Sequence, residues 1–161
     1  MKLLSITFAL ASLVSAAGIT TPEARKAAPA FTLKDSKGAS VRLADYKGKI
    51  VLLNFWATTC GGCKTEIPWF MEFASKYKRQ GLAVIGVSLD EDGWKSVIPY
   101  VKVKRINYRI ALGDDDMTKL YGIEAMPVTL LIDRNGRIAD SHVGLVDRSA
   151  VENEIVQLLR K

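Results

Sequence analysis

Ile50-Val51-Leu52-Leu53-Asn54-Phe55-Trp56-Ala57-Thr58-Thr59-Cys60-Gly61-Gly62-Cys63-Lys64-Thr65-Glu66-Ile67-Pro68 is the stretch on which the reading of this chain turns. Its first part is an almost unbroken apolar run, the pattern of a central strand covered on both faces. Beyond Lys64, apolar residues recur at Ile67, Phe70, Met71, Ala74 and Tyr77, one stripe of a helix. The only two cysteines of the chain, Cys60 and Cys63, sit at the junction. A Cys-x-x-Cys pair between a strand and a helix start is an arrangement for moving electrons. A structural staple and half of a metal site are the alternatives. Closing a loop of about four residues contributes only roughly 2 kcal/mol. Zinc wants four Cys or His ligands, and His142 is the sole histidine. Dithiol chemistry is the expectation, with neither a metal nor an organic cofactor.

Working outward, Phe31-Thr32-Leu33 and Val41-Arg42-Leu43 alternate around Asp35-Ser36-Lys37-Gly38, which predicts a β-hairpin. Pro68 falls inside the helix and is expected to kink it, and Gln80-Gly81 ends it. Residues 82–88 predict a second buried strand. Trp94, Val97, Ile98 and Val101 mark a helix between Gly93 and Arg105. Residues 108–112 form a short strand, and Asp114-Asp115-Asp116 cap a helix through Leu120 and Tyr121. Strands at 128–132 and 137–143 are joined by Asp133-Arg134-Asn135-Gly136, an Asn-Gly turn. A last helix, 148–159, is capped by Asp147. This order predicts one α/β domain with a mixed sheet and helices on both faces.

Met1-Lys2, an apolar run over residues 3–14 and Ser15-Ala16-Ala17-Gly18 have the charged, apolar, small-residue order of a secretory signal. The run is short of the about 20 residues that span a bilayer. The expected division is a signal peptide at 1–17, a linker at 18–29 and the folded domain at 30–161, with no stable membrane insertion once the signal is cleaved. Outside the cytoplasm disulfides persist, and a domain of roughly 140 residues builds a core without staples, so the pair is free for chemistry. The 23 basic and 17 acidic residues give a net charge of +6. They are interspersed, which describes a solvated surface more than a nucleic-acid footprint.

Unpaired N–H groups and the positive end of the helix dipole meet at Cys60. Both stabilise a thiolate and should bring its pKa below the free value of about 8.5. Cys63, one turn further in, should be more buried and remain a thiol. Cys60 would then attack a substrate disulfide, and Cys63 would resolve the mixed disulfide.

Phe55-Trp56-Ala57-x-x-Cys60-x-x-Cys63-Lys64, together with Met126-Pro127-Val128-Thr129, resembles the thioredoxin superfamily. The hairpin, Asn54, Glu66-x-Pro68, the helix around Trp94, Gly136-x-Ile138 and His142-Val143-Gly144 narrow the resemblance to the exported TlpA/ResA-like branch, related to the AhpC/TSA redoxins. It covers residues 28–161. It implies a thioredoxin-like fold with a mixed central sheet flanked by helices, an N-terminal β-hairpin and a helix-containing insertion. It also implies that Pro127 is cis and faces the cysteines, a bond that only proline makes cheap. Substrate backbone would pair beside it. Cys60, Cys63 and Pro127 are thereby expected to be catalytic, and Trp56, Thr59 and Met126 to contact substrate. The implied partners are protein disulfides and a membrane thiol electron donor, in the periplasm or outside the cell. The implied tasks are cytochrome c maturation or disulfide repair.

Thr59 stands where many relatives carry an aromatic residue, and Gly62 where they carry proline, so a more adaptable active-site loop is expected. Asn54 occupies the place of the buried acid of thioredoxin. The resemblance moves the proton acceptor to the loop Asp90-Glu91-Asp92, with Glu91 the nearest match. Glu66 reads equally as helix charge compensation or as a site residue. Glu124 reads as a rim residue, and His142 as a surface or packed histidine. Two other activities share the fold. A peroxiredoxin-type peroxidase needs Pro-x-x-x-Thr-x-x-Cys, and Ala57 occupies the threonine position. A Sco-like copper chaperone uses Cys-x-x-x-Cys plus a histidine, one residue more than the spacing here.

Overall fold

The alternation at the start of the domain folds as a hairpin of β1 (Thr32–Lys34) and β2 (Ser40–Arg42), antiparallel, with Leu33 and Val41 turned to the core. A computed structural model of the chain describes residues 18–160. The expected signal peptide at 1–17 lies outside them. β3 (Ile50–Trp56) is buried at every position, as an apolar run predicts for a strand covered on both faces. Then follow α1 (Gly61–Tyr77), β4 (Leu82–Ser88), α2 (Trp94–Lys104), β5 (Arg109–Leu112), α3 (Asp115–Tyr121), β6 (Val128–Ile132), β7 (Ile138–Val143) and α4 (Arg148–Leu159).

The seven strands form one sheet in the order β2-β1-β5-β4-β3-β6-β7. β3, β4 and β5 run parallel and the remaining pairs antiparallel, so the sheet is mixed. Period-two alternation divides β3 between two cores. Val51, Leu53 and Phe55 pack with Phe31, Val41, Met117 and Ile123 on the face of the hairpin and α3. Ile50 and Leu52 pack with Phe70 and Phe73 of α1 and with Val151, Ile155 and Leu158 of α4. Burying a side chain of this size contributes about 1.5–3 kcal/mol, so β3 is the strand on which both layers depend.

Cys60, Asp114 and Asp147 each accept from a backbone N–H three residues on and start α1, α3 and α4, as an N-cap should. α1 begins at Gly61, ahead of the expected Lys64, and runs unbroken through Pro68. Its buried stripe is Cys63, Glu66, Ile67, Phe70, Phe73 and Tyr77. That stripe differs from the expected one: Met71 and Ala74 sit at its margin, and a carboxylate lies within it.

Residues 18–29, expected to be a linker, are docked on the domain. Thr20 N donates to Ala139 O at 2.8 Å, Ala28 N to Gly136 O at 2.9 Å, and Ile138 N to Lys26 O at 2.8 Å. Ala27 bridges Arg137. The buried Arg25 side chain reaches Asp133, with Nη1 2.9 Å from Oδ2. The physical reason is the open edge of β7, whose unpaired backbone groups take a partner from this segment.

Candidate redox site

Cys60 and Cys63 are joined in a disulfide with their Cα atoms 5.3 Å apart. Cys60 is the N-cap of α1, and its Sγ accepts a hydrogen bond from Cys63 N at 3.2 Å. It is half-buried, whereas Cys63 is wholly buried among Trp56, Ile67, Val97 and Ile110. One sulfur can therefore be reached from outside and its partner cannot. In the reduced form the helix N-terminus favours the thiolate at Cys60.

The loop before Cys60 is braced from β4. Thr58 N lies 3.1 Å from each carboxylate oxygen of Asp90, the Thr58 hydroxyl donates to Asp90 Oδ1, and Ser88 Oγ donates to Asp90 Oδ2 at 2.7 Å. Leu89 N donates to Trp56 O at 2.9 Å. Glu91, expected as the proton acceptor, is instead exposed in an acidic cleft with Asp114, Asp115 and Asp116. Its neighbour Asp90 is the acid turned to the active-site loop.

The Met126–Pro127 peptide bond is cis. The Pro127 ring lies against Gly62: a Cβ on that glycine would come to 3.2 Å from Pro127 Cδ and 3.9 Å from Leu145 Cβ. Pro127 O accepts from Gly144 N at 2.8 Å, which ties this loop to the end of β7. Thr59, Met126 and Leu145 are exposed around it. Trp56, expected to contact substrate, is fully buried. Its ring centroid lies 5.6 Å from that of Tyr100 of α2. A Cβ on Gly86 would come to 2.9 Å from Trp56 Nε1, so the glycine makes room for the indole. Trp56 is thus part of the packed floor of the site, covered by α2.

Beneath the cysteines lies a carboxylate whose position decides its chemistry. Glu66 is fully buried, one turn beyond Cys63 on the inward stripe of α1. Its Oε1 accepts from Val146 N at 2.8 Å, and its Oε2 faces Asn54 Nδ2 at 3.5 Å. Burial pushes its pKa up to about 7, against the opposing pull of the Val146 hydrogen bond, the His142 charge and the Asn54 amide. Its signal was present in the sequence: position 66 is three residues after Cys63 and four before Phe70, on the buried face. Glu124 is exposed before the proline loop.

His142 lies away from any pairing with the cysteines. Its Nε2 is 2.9 Å from Glu154 Oε2 and 3.6 Å from Asp140 Oδ2. These three residues bring donor atoms within 4.8 Å of one another, and an imidazolium held by two carboxylates accounts for the arrangement. Among the described residues no helix is long and apolar enough to cross a membrane.

The chain matches the AhpC/TSA family over residues 24–141. It is 33% identical over 135 residues to a thiol-disulfide oxidoreductase ResA of Geobacillus kaustophilus, covering 80% of this chain and 74% of that one. A crystal structure of a putative thiol:disulfide interchange protein DsbE from Chlorobium tepidum superposes with a TM-score of 0.79 at 34% identity, over 84% of this chain and 96% of that one. A solution structure of a putative thioredoxin from Neisseria meningitidis gives a TM-score of 0.78 at 33% identity, over 85% and 92% of the two chains.

Proposed function

This chain belongs to the AhpC/TSA family and to its thiol–disulfide oxidoreductases, and on that premise we propose that it reduces disulfides of exported proteins through Cys60 and Cys63. The observation that carries the reading is the asymmetry of the pair: a half-exposed Cys60 at the N-terminus of α1 and a wholly buried Cys63. The Cys60 thiolate attacks one sulfur of a substrate disulfide. A Cys60–substrate disulfide forms, and the displaced substrate thiolate takes a proton from solvent. Cys63 then gives its proton to Glu66 and attacks Cys60 Sγ. The second substrate sulfur leaves and is protonated, and two electrons have passed from the dithiol to the substrate. Glu66 suits the acceptor role because burial holds its proton affinity near neutrality.

Pro127, with Met126 and Thr59 beside it, forms the edge against which the substrate chain lies, and Gly62 lets that edge approach the cysteines. The leader pattern at 1–17 supports export to the periplasm or beyond, and a membrane thiol donor would return the pair to its reduced form. Cytochrome c maturation and repair of wrongly paired disulfides both fit such a reductant. The test uses the reduced protein and a disulfide-bonded protein substrate. Cys60→Ser should abolish exchange, and Cys63→Ser should accumulate the mixed disulfide. Exchange that survives Cys60→Ser, or a Cys63→Ser protein that traps nothing, would overturn the reading.

A further inference from the structure

A row of polar side chains crosses the sheet under α1 and α4. Asn54 of β3 is directly opposite Thr129 of β6, and Thr129 is directly opposite His142 of β7. Residues opposite one another in adjacent strands share a face, so the three stand in line. Asn54 and Thr129 are fully buried, and Asn54 Nδ2 donates to Thr129 Oγ1 at 3.1 Å. A buried carboxylate borders each end of the row. Glu66 of α1 stands beside Asn54, and Glu154 of α4 receives the imidazole of His142 at 2.9 Å. The β7–α4 connection closes the frame through the bond from Val146 N to Glu66.

We propose that His142 is a positioning residue for the redox reaction: its imidazolium, anchored by Glu154, sets the pH at which Glu66 accepts the proton of Cys63. The proposal rests on the reading of Glu66 as that acceptor. The groups facing the row are Glu66 from α1, Glu154 from α4, Asp140 and His142 from β7, and the Tyr108 phenol beside β5; β3 and β6 contribute only Asn54 and Thr129. His142 is therefore the one cation among them. The hydrogen bond to Glu154 raises its pKa, with Asp140 adding to that, while its charge pulls Glu66 down against burial. His142 is half-buried, but Asn54, Thr129 and Glu66 are fully buried, and a charge acts over several ångströms across such a poorly screened interior, so no direct contact between His142 and Glu66 is needed.

The test titrates the Glu66 side-chain carboxyl by carbon NMR in the disulfide form of the full chain, where no thiol ionises. The pH profile of disulfide exchange is measured beside it. His142→Gln keeps a hydrogen-bonding partner for Glu154 and removes the charge. It should raise the Glu66 midpoint by about one pH unit, roughly tenfold in proton affinity. His142→Lys, which restores a cation, should return the midpoint toward the wild-type value. An unchanged midpoint in His142→Gln sinks the proposal, as does an equal shift in both variants, which would mark a purely structural effect. A midpoint that moves while the exchange profile does not would leave the His142–Glu66 coupling standing and remove Glu66 from the acceptor role.

Discussion

The ring of Pro127 occupies the space into which a side chain at position 62 would project, at 3.2 Å from Cδ to an added Cβ. Gly61 next to it has open space. Both are in the first turn of α1, where alanine is favoured over glycine by about 0.5–1 kcal/mol. Gly61→Ala should show that gain in urea unfolding of the oxidised protein. Gly62→Ala should lose it, because Pro127 is held from behind by Gly144, and should also slow disulfide exchange. Equal stabilisation by the two substitutions would mean that the 62–127 contact imposes nothing.

Glu66 gives stability a pH dependence of definite sign. Its pKa is raised from 4.5 to about 7 in the folded protein, so the folded state binds this proton more tightly than the unfolded state. Stability therefore falls as pH rises through that interval. Glu66→Gln keeps an oxygen for Val146 N and cannot ionise. It should match the wild type near pH 4 and exceed it at pH 8 by on the order of 2 kcal/mol. Urea midpoints at the two pH values measure the difference, and a variant less stable at both would contradict the assignment.

Asp90 and Glu91 are adjacent in sequence and opposite in consequence. Asp90→Ala strands Thr58 N and the Ser88 hydroxyl, at a cost of about 1–3 kcal/mol, and frees the loop that carries Cys60. Glu91→Gln alters an exposed side chain and should leave stability and exchange rate within error. A large rate loss in Glu91→Gln would restore Glu91 as the proton acceptor.

The Arg25–Asp133 pair is buried on both sides, with 4% and 8% of the side chains exposed. Removing one member of such a pair leaves a buried charge and costs about 3–5 kcal/mol. Burial would raise the Asp133 carboxyl, but hydrogen bonds from Arg137 N, Arg25 and Asn135 N outweigh it and hold the pKa below the ordinary range. That stability is present above about pH 4 and is lost as pH falls below it. Arg25→Met should therefore be strongly destabilised at pH 7 and converge on the wild type in acid, as followed by thermal unfolding.

The parts of the fold written in side-chain periodicity were legible. The run at Ile50–Trp56 marked a covered strand, and Asp114 and Asp147 marked helix starts. Backbone pairing has no such signature, which is why residues 18–29 read as a linker although their amide and carbonyl groups bond the start of β7 and the turn before it. In the site, the cysteines are legible because their spacing is itself chemical, and the proline loop only through the resemblance that Met126-Pro127-Val128-Thr129 carries. Trp56, which the resemblance assigns to substrate contact, is instead covered by α2, as its place in a covered strand allows. Glu66, which reads equally as helix charge compensation or as a site residue, stays undecided in the sequence for a different reason. An acid is expected outside, and only the helical phase of Glu66 with Cys63 and Phe70 puts it inside.

The bond from Arg25 to Asp133 joins positions 108 residues apart. Contacts of that span raise contact order and form after the local ones, once the cost of closing the intervening loop has been met. On a chain made from its N-terminus, residues 20–28 emerge well before β7 and have no β7 edge to pair with until that strand has joined the sheet. The segment that opens the domain is thus secured only after a strand near the far end of the chain, and its docking reports that β7 is in place.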